Sequence, residues 1–243
     1  MTVGLIIAGG GLAALAAAAV SLRRRRETST WRAIAARHGW EPSSRLDEEV
    51  LLRLRSSALM QIGHSRRFVE MLQAKNQTRL LAYVFETGFE HRRRSHDWRM
   101  AVRTIPHQRS RATITRLDWL AVTAAGPGTR ELRVAQEDAG GPHSASKTAV
   151  GAEIATAAGQ GSPAEESRQA DQPLLAIVEN EEEWRGLFSG DLASWLTRQP
   201  ANRSWEILPG CIIGYEPGSS EEEAFAELES ALEQLAVRVL PGW

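Results

Sequence analysis

The chain has 243 residues, with 29 basic against 30 acidic side chains and a formal net charge of −1. That length suffices for one domain with a proper core, and the neutral balance argues against a general nucleic-acid binder. The single cysteine, Cys211, excludes an intramolecular disulfide and fits a reducing compartment, and no metal motif or cofactor loop stands out from the composition.

The first element is an uncharged apolar run from Val3 to Leu22, VGLIIAGGGLAALAAAAVSL. As a helix rising about 1.5 Å per residue it crosses a hydrocarbon core of about 30 Å with its backbone groups satisfied internally. Residues 1–26 are therefore expected to be a transmembrane anchor with a basic flank, and 27–243 a water-soluble domain. Three other readings compete. A signal peptide needs a charged start and a cleavable site, whereas here Arg23, Arg24, Arg25 and Arg26 follow the run. A buried soluble helix would be interrupted by polar residues. Gly9 to Ala14 fits the GxGxxA turn of dinucleotide-binding folds, but the βαβ units that turn requires do not follow. Arginines only after the span predict, by the positive-inside rule, an outside N-terminus and a cytoplasmic domain in the cell membrane. The same four arginines are candidate anionic-lipid contacts. Gly10, Ala14 and Ala18 form a small-residue face through which two spans could pair.

Helical period and capping residues then predict two short helices. Ser29 or Thr30 begins one with Trp31, Ile34, Ala35 and His38 on a shared face and Gly39 as its stop. A Ser44/Asp47 capping box opens another carrying Val50, Leu51 and Leu54. The period changes to two over Arg66–Gln73, Arg79–Phe89, Asp97–Ile105 and Ala112–Val122, strands of an antiparallel meander with turns at Lys75–Gln77 and His91–His96. Trp98, Met100 and Val102 alternate with Arg99 and Arg103, as if one face were buried and the other wet. Between about 126 and 173, the clusters Gly140-Gly141-Pro142 and Gly159-Gln160-Gly161-Ser162-Pro163 and a polar run to Pro173 hold too little apolar surface to offset ordering entropy, and the stretch is expected to be a disordered insertion. A strand at Leu174–Val178 follows. After it come a helix capped by Asn180 with Trp184, Leu187, Phe188, Leu192, Trp195 and Leu196 in one stripe, a hairpin turning at Pro209-Gly210, and a terminal helix capped by Ser220 with Phe225, Leu228, Leu232, Leu235 and Val239 on its core face. Grouped strands with helices outside them indicate α+β: an N-terminal transmembrane helix followed by an antiparallel sheet with packed helices.

Trp31, Ala35, Gly39 and Trp40, spaced WxxxAxxxGW just after a single span, together with Tyr83 and Phe85 in a hairpin strand, resemble a family of uncharacterised bacterial, actinobacterial-type single-pass membrane proteins of unknown function. The resemblance implies the anchor and the α+β architecture. It assigns no reaction, so no functional residue carries over from it.

Charge is unevenly distributed. From Arg53 to Arg116 there are fourteen basic against four acidic residues, and from Leu174 to the end thirteen acidic against four basic. The simplest cause is that the two halves fold against each other; a basic half resting on anionic headgroups is the functional alternative. Among candidate chemical groups, His91 and His96 have no zinc spacing, and His38 is expected against the core. Cys211 reads as a buried small hydrophobe, and no GxSxG elbow accompanies Ser189. Glu181–Glu183 and Glu221–Glu223 sit at helix starts, where the macrodipole accounts for them. Trp98, Trp119, Trp184 and Trp205 are expected in the core, with Trp31 and Trp40 as alternatives for a membrane-interface belt. The favoured reading is a membrane-anchored cytosolic interaction module without enzymatic activity or cofactors, whose partners are membrane lipid, an unknown protein and a second copy through the span. The alternative is a membrane-tethered enzyme acting on a lipid or envelope precursor, with Arg92, Arg93 and Arg94 holding a phosphate. A nucleic-acid role for the basic meander lacks interleaved aromatics.

Overall fold

The computed structural model describes residues 33–89, 92–106, 109–134, 173–188, 190–219 and 221–240. The Val3–Leu22 run, Arg23–Arg26, Ser29–Trp31, His91, Ser189, Ser220 and the stretch 135–172 lie outside them. Among the described residues no helix is long and apolar enough to cross a membrane.

Among the described residues nine strands form one sheet in which every pairing is antiparallel. They are β1 (Glu41–Pro42), β2 (His64–Gln73), β3 (Thr78–Thr87), β4 (Arg94–Thr104), β5 (Ala112–Thr115), β6 (Arg130–Arg133), β7 (Leu175–Val178), β8 (Ser204–Leu208) and β9 (Cys211–Pro217). Their order across the sheet is β1-β2-β3-β4-β9-β8-β5-β7-β6. The helices are α1 (33–38), α2 (Glu48–Leu54), α3 (Asp118–Ala124), α4 (Glu181–Leu187), α5 (Asp191–Thr197) and α6 (Glu222–Val239).

Both faces of the sheet are covered, and the period of two sorts each strand between them. Leu80, Ala82, Ala101, Ile114, Val178, Trp205, Ile207 and Ile212 face α1, α4, α5 and α6. Leu81, Tyr83, Phe85, Trp98, Met100, Ile213 and Tyr215 face α2, α3 and the 3-10 turn Leu59–Gln61. Helix α6 lies along β4 and β9 and buries Phe225, Leu228, Leu232, Leu235 and Val239, the stripe expected from its period. Buried side chains of that size contribute about 1.5–3 kcal/mol each, so α6 is a main fastening of its face.

The meander β2-β3-β4, the Pro209-Gly210 hairpin and the Asn180 cap agree with the sequence reading; Asn180 Oδ1 accepts the Glu183 N–H at 3.3 Å. Several expectations are corrected. The face of β4 bearing Arg99 and Arg103 is not wet, because α6 covers it and supplies Glu233, while β9 supplies Glu216. The strand expected over Ala112–Val122 ends at Thr115; Leu117, Leu120, Ala121 and Ala124 are spaced i, i+3, i+4, i+7 and bury one side of α3. The single tryptophan-bearing helix is two, α4 and α5, because Gly190 takes a φ of 77° between them. The Ser44/Asp47 box does not form, since Asp47 makes no cap and its carboxylate accepts from Arg79 at 2.7 Å. Arg130–Arg133 pairs with β7, so the stretch called structureless from 126 contains a strand covering an edge. β3 stops at Thr87 and β4 begins at Arg94, which places Ser95 and His96 in the sheet.

Opposite charges of the two halves meet in the fold. Arg99 pairs with Glu216, Arg103 with Glu233, Arg109 with Glu183 and Arg111 with Glu206. Mutual neutralisation, the simpler reading of the charge asymmetry, has these contacts behind it.

Candidate functional site

The strongest grouping of polar chemistry in a concavity lies where the N-terminal side of the domain meets α6. After α1 the chain reverses at Gly39, whose φ is 68°, and the Trp40 N–H donates to the Ala35 carbonyl at 2.7 Å. The reversal lays the Trp40 indole, 4% exposed, against α6, where its Nε1 donates to Glu229 Oε2 at 2.9 Å. His38 stacks on Trp40 with ring centroids 4.3 Å apart and shares Glu222 with Arg37. Asn76, at the β2–β3 turn, donates to Glu233 Oε1 at 2.8 Å. His38, Trp40, Asn76, Glu229, Ser230 and Glu233 line a cleft of about 270 Å³. Burial raises the Glu229 carboxyl above its ordinary range; the Trp40 hydrogen bond and His38 oppose that rise, and Glu233 adds to it.

A carboxyl raised by burial, beside a second carboxylate and a histidine, brings together residue types used in general acid–base chemistry. The cleft is small for an active site, its volume lying below the usual range of small-molecule pockets. Each polar group already engages another part of the chain, Glu229 with Trp40, Glu233 with Asn76 and Arg103, His38 with Glu222. Chemically the arrangement is a clamp that fixes the segment after residue 33 onto the terminal helix. His38, expected against the core, instead lies at the cleft rim with a third of its side chain exposed, and Trp40 belongs to the core rather than to a membrane belt.

A second polar centre is enclosed within the other layer. Glu206 on β8 is completely buried; its carboxylate accepts from Ser57 Oγ at 2.9 Å, the Ala58 N–H at 2.8 Å and Tyr215 OH at 2.7 Å, with Arg111 at 3.9 Å. Burial raises the Glu206 carboxyl against the pull of Tyr215, Arg111, Ala58 and Ser57, and burial with Glu206 nearby raises the Tyr215 phenol well above its usual value. This centre ties the 55–60 turn to the sheet.

The remaining sequence candidates are dispersed. Arg92, Arg93 and Arg94 are exposed at the β3–β4 hairpin tip, away from the cleft. His96 bonds Thr87 Oγ1 and stacks on Phe85, and Cys211 is buried with its thiol pushed up to about 12. Asp191 accepts from Arg238 at 3.0 Å. Trp98, Trp184 and Trp205 are buried and Trp119 is half-buried. Among the described residues no group of three or more His, Cys, Asp or Glu side chains is placed to hold a metal. Sequence reasoning missed Glu206, Glu229 and Phe89. The first had a legible signal, a lone carboxylate inside the apolar strand Trp205-Glu206-Ile207-Leu208; the other two had none.

The arrangement defines a class: a two-faced antiparallel α+β sheet whose longest helix clamps the N-terminal side of the domain. No family model and no curated protein matches the chain. A solved structure with a similar fold is the mycobacterial trehalose monomycolate transport factor A, which superposes with a TM-score of 0.50 at 10% identity, over 86% of this chain and 93% of that chain.

Proposed function

We propose that the chain is a membrane-anchored, non-enzymatic accessory module of envelope lipid transport. The observation that carries this reading is the fold shared, over nearly the whole length of both chains, with a protein named for trehalose monomycolate transport. The resemblance of the WxxxAxxxGW segment to bacterial single-pass membrane proteins supports it from the sequence side. In this reading Val3–Leu22 spans the cell membrane with the N-terminus outside, Arg23–Arg26 meet anionic headgroups, and the α+β domain stands in the cytoplasm. Its partners are lipid, a membrane protein and a second copy through the Gly10/Ala14/Ala18 face. The Trp40–Glu229 bond fastens the N-terminal side of the described domain to the terminal helix and so to the sheet.

The enzyme alternative loses its motivation. A phosphate held by Arg92–Arg94 would need a pocket enclosing it; Glu86 and His64 lie near Arg93, but the three arginines are exposed and line neither described cavity.

Depletion of the chain in its source bacterium, with extraction and quantification of envelope lipids on both sides of the membrane, tests the transport reading. A lipid that accumulates on the inner side while its outer pool falls, restored by the wild-type chain, is the expected result. Unchanged distribution of every envelope lipid under full depletion would sink it. Protease accessibility in intact cells against opened vesicles tests the topology: protection until opening is expected, and digestion from outside reverses the orientation.

A further inference from the structure

Two sets of arginines in the first half contrast. Arg99, Arg103, Arg109 and Arg111 are largely covered and meet carboxylates of the second half. Arg92, Arg93 and Arg94 stand outside that arrangement, exposed at one end of the sheet beside Phe89, which is 80% exposed. Arg66 and Arg67, at the start of β2, are exposed at the same end, because β2 runs antiparallel to β3 with His64 opposite Glu86.

Phe89 is held out by defined structure. Gly88 precedes it with a φ of 76°, and a Cβ there would lie 2.3 Å from the Arg92 carbonyl oxygen. Gly63, with a φ of 66°, lets the turn before β2 close onto β3; a Cβ there would lie 2.5 Å from the Glu86 carbonyl oxygen. That turn brings His64 under the tip, where its Nε2 contacts the Gly88 carbonyl oxygen at 2.7 Å and its ring stacks on Phe89 at 5.6 Å. Arg66 donates to the carbonyls of Gln61, Ile62 and Gly63 and closes the turn. Two left-handed glycines and a stacked imidazole thus fix one large apolar ring in water at the centre of a basic rim. Among the described residues an acidic neighbour is Glu86, 3.9 Å from both His64 and Arg93; Glu90, which follows Phe89 in the sequence, lies outside them.

We infer that the β3–β4 hairpin tip is a membrane-contact site, in which Phe89 enters the interfacial layer of an anionic bilayer while Arg92 and Arg93 face its headgroups. The chemistry favours lipid over a protein. A single projecting ring without an apolar groove around it matches the headgroup–acyl boundary, which accepts an isolated side chain, and clustered arginines match the negative potential of that surface. Apolar transfer of a phenylalanine changes partition about tenfold or more, and each arginine near the surface about fivefold. The inference goes beyond the transport reading and rests on different residues, so either can fail alone.

The test uses the full chain in vesicles, with Ser95→Cys carrying an environment-sensitive fluorophore. Cys211, buried, does not compete for the label. In vesicles of phosphatidylcholine with phosphatidylglycerol the label is expected to shift to the blue and to be quenched by lipid-attached quenchers, weakening as salt rises. Phosphatidylcholine alone should give a water-like signal. Phe89→Ser is expected to lower the lipid-contacting population about tenfold, and Arg92→Gln with Arg93→Gln about 25-fold, with circular dichroism unchanged. A label that stays water-like on anionic vesicles overturns the inference and turns the tip toward a protein partner. Contact that is equal on neutral lipid, or undiminished in both variants, overturns it as well.

Discussion

Glu206 and Glu216 sit on neighbouring strands of one sheet, both almost wholly buried, and the two faces of the sheet accommodate them in different ways. Glu206 points into the layer of α2 and α3, where a hydroxyl, a phenol and a backbone N–H converge on it and the guanidinium of Arg111 stops at 3.9 Å. Burial dominates, and its carboxyl is raised. Glu216 points under α6 and is held between two guanidinium groups, Arg203 Nε at 2.8 Å and Arg99 Nη2 at 3.2 Å. The two buried carboxylates thus differ in their partners: two close guanidinium groups at Glu216, and mainly hydroxyl and N–H donors at Glu206.

The largest expected effect comes from Glu216→Ala, which leaves Arg99 and Arg203 facing each other beneath α6; a loss of about 3–5 kcal/mol in urea unfolding is expected. A change below about 1 kcal/mol would mean that the pair is not the fastening the geometry indicates. Glu206→Leu removes the acceptor of the Ala58 N–H and Tyr215 OH and should cost about 2–4 kcal/mol in the same measurement. Glu206→Gln keeps one acceptor oxygen and should cost only about 1 kcal/mol. The equivalent amide at Glu216 would still strand two cations, so the ratio between the two amide variants sharpens the contrast.

The pH dependence of stability tests Glu206 directly. A carboxyl raised in the folded state contributes stability that is fully present below its unfolded value, about 4.3, and is lost as pH rises through the folded value. Unfolding midpoints of the wild type should therefore carry a component that falls with rising pH above that point, and Glu206→Gln should flatten it. Glu229, raised in the same direction, remains in both proteins, so their difference isolates Glu206. An identical pH profile for both would show that Glu206 is not raised. The smallest effect is expected at the cleft: Trp40→Phe retains the packing but removes the bond to Glu229, costing about 1 kcal/mol by thermal unfolding.

Strands and helices with strong periods were legible. Leu228, Leu232 and Leu235 point inward because a 3.6-residue repeat admits one stripe, and β3 alternates because consecutive side chains leave a strand on opposite sides. Short elements were not. Ala112–Ala124 contains β-branched residues at both ends, and only the need to bury Leu120 and Ala124 makes its second half a helix. Arg130–Arg133 has one apolar residue, Leu132, and becomes a strand because the β7 edge offers backbone partners. The clamp was invisible because Trp40 and Glu229 are 189 residues apart, and nothing in either local sequence names the other.

The amino-acid sequence by itself determined the period of each long element, the α+β class, the reversals at Gly39 and Gly210, and the opposite charge of the two halves. Only the tertiary structure decided that both faces of β4 are covered, which partners meet each buried carboxylate, and that Phe89 is exposed at a basic tip. The physical reason is one of range: steric period and turn chemistry act over a few residues, whereas the burial of a charge depends on which distant segment covers it.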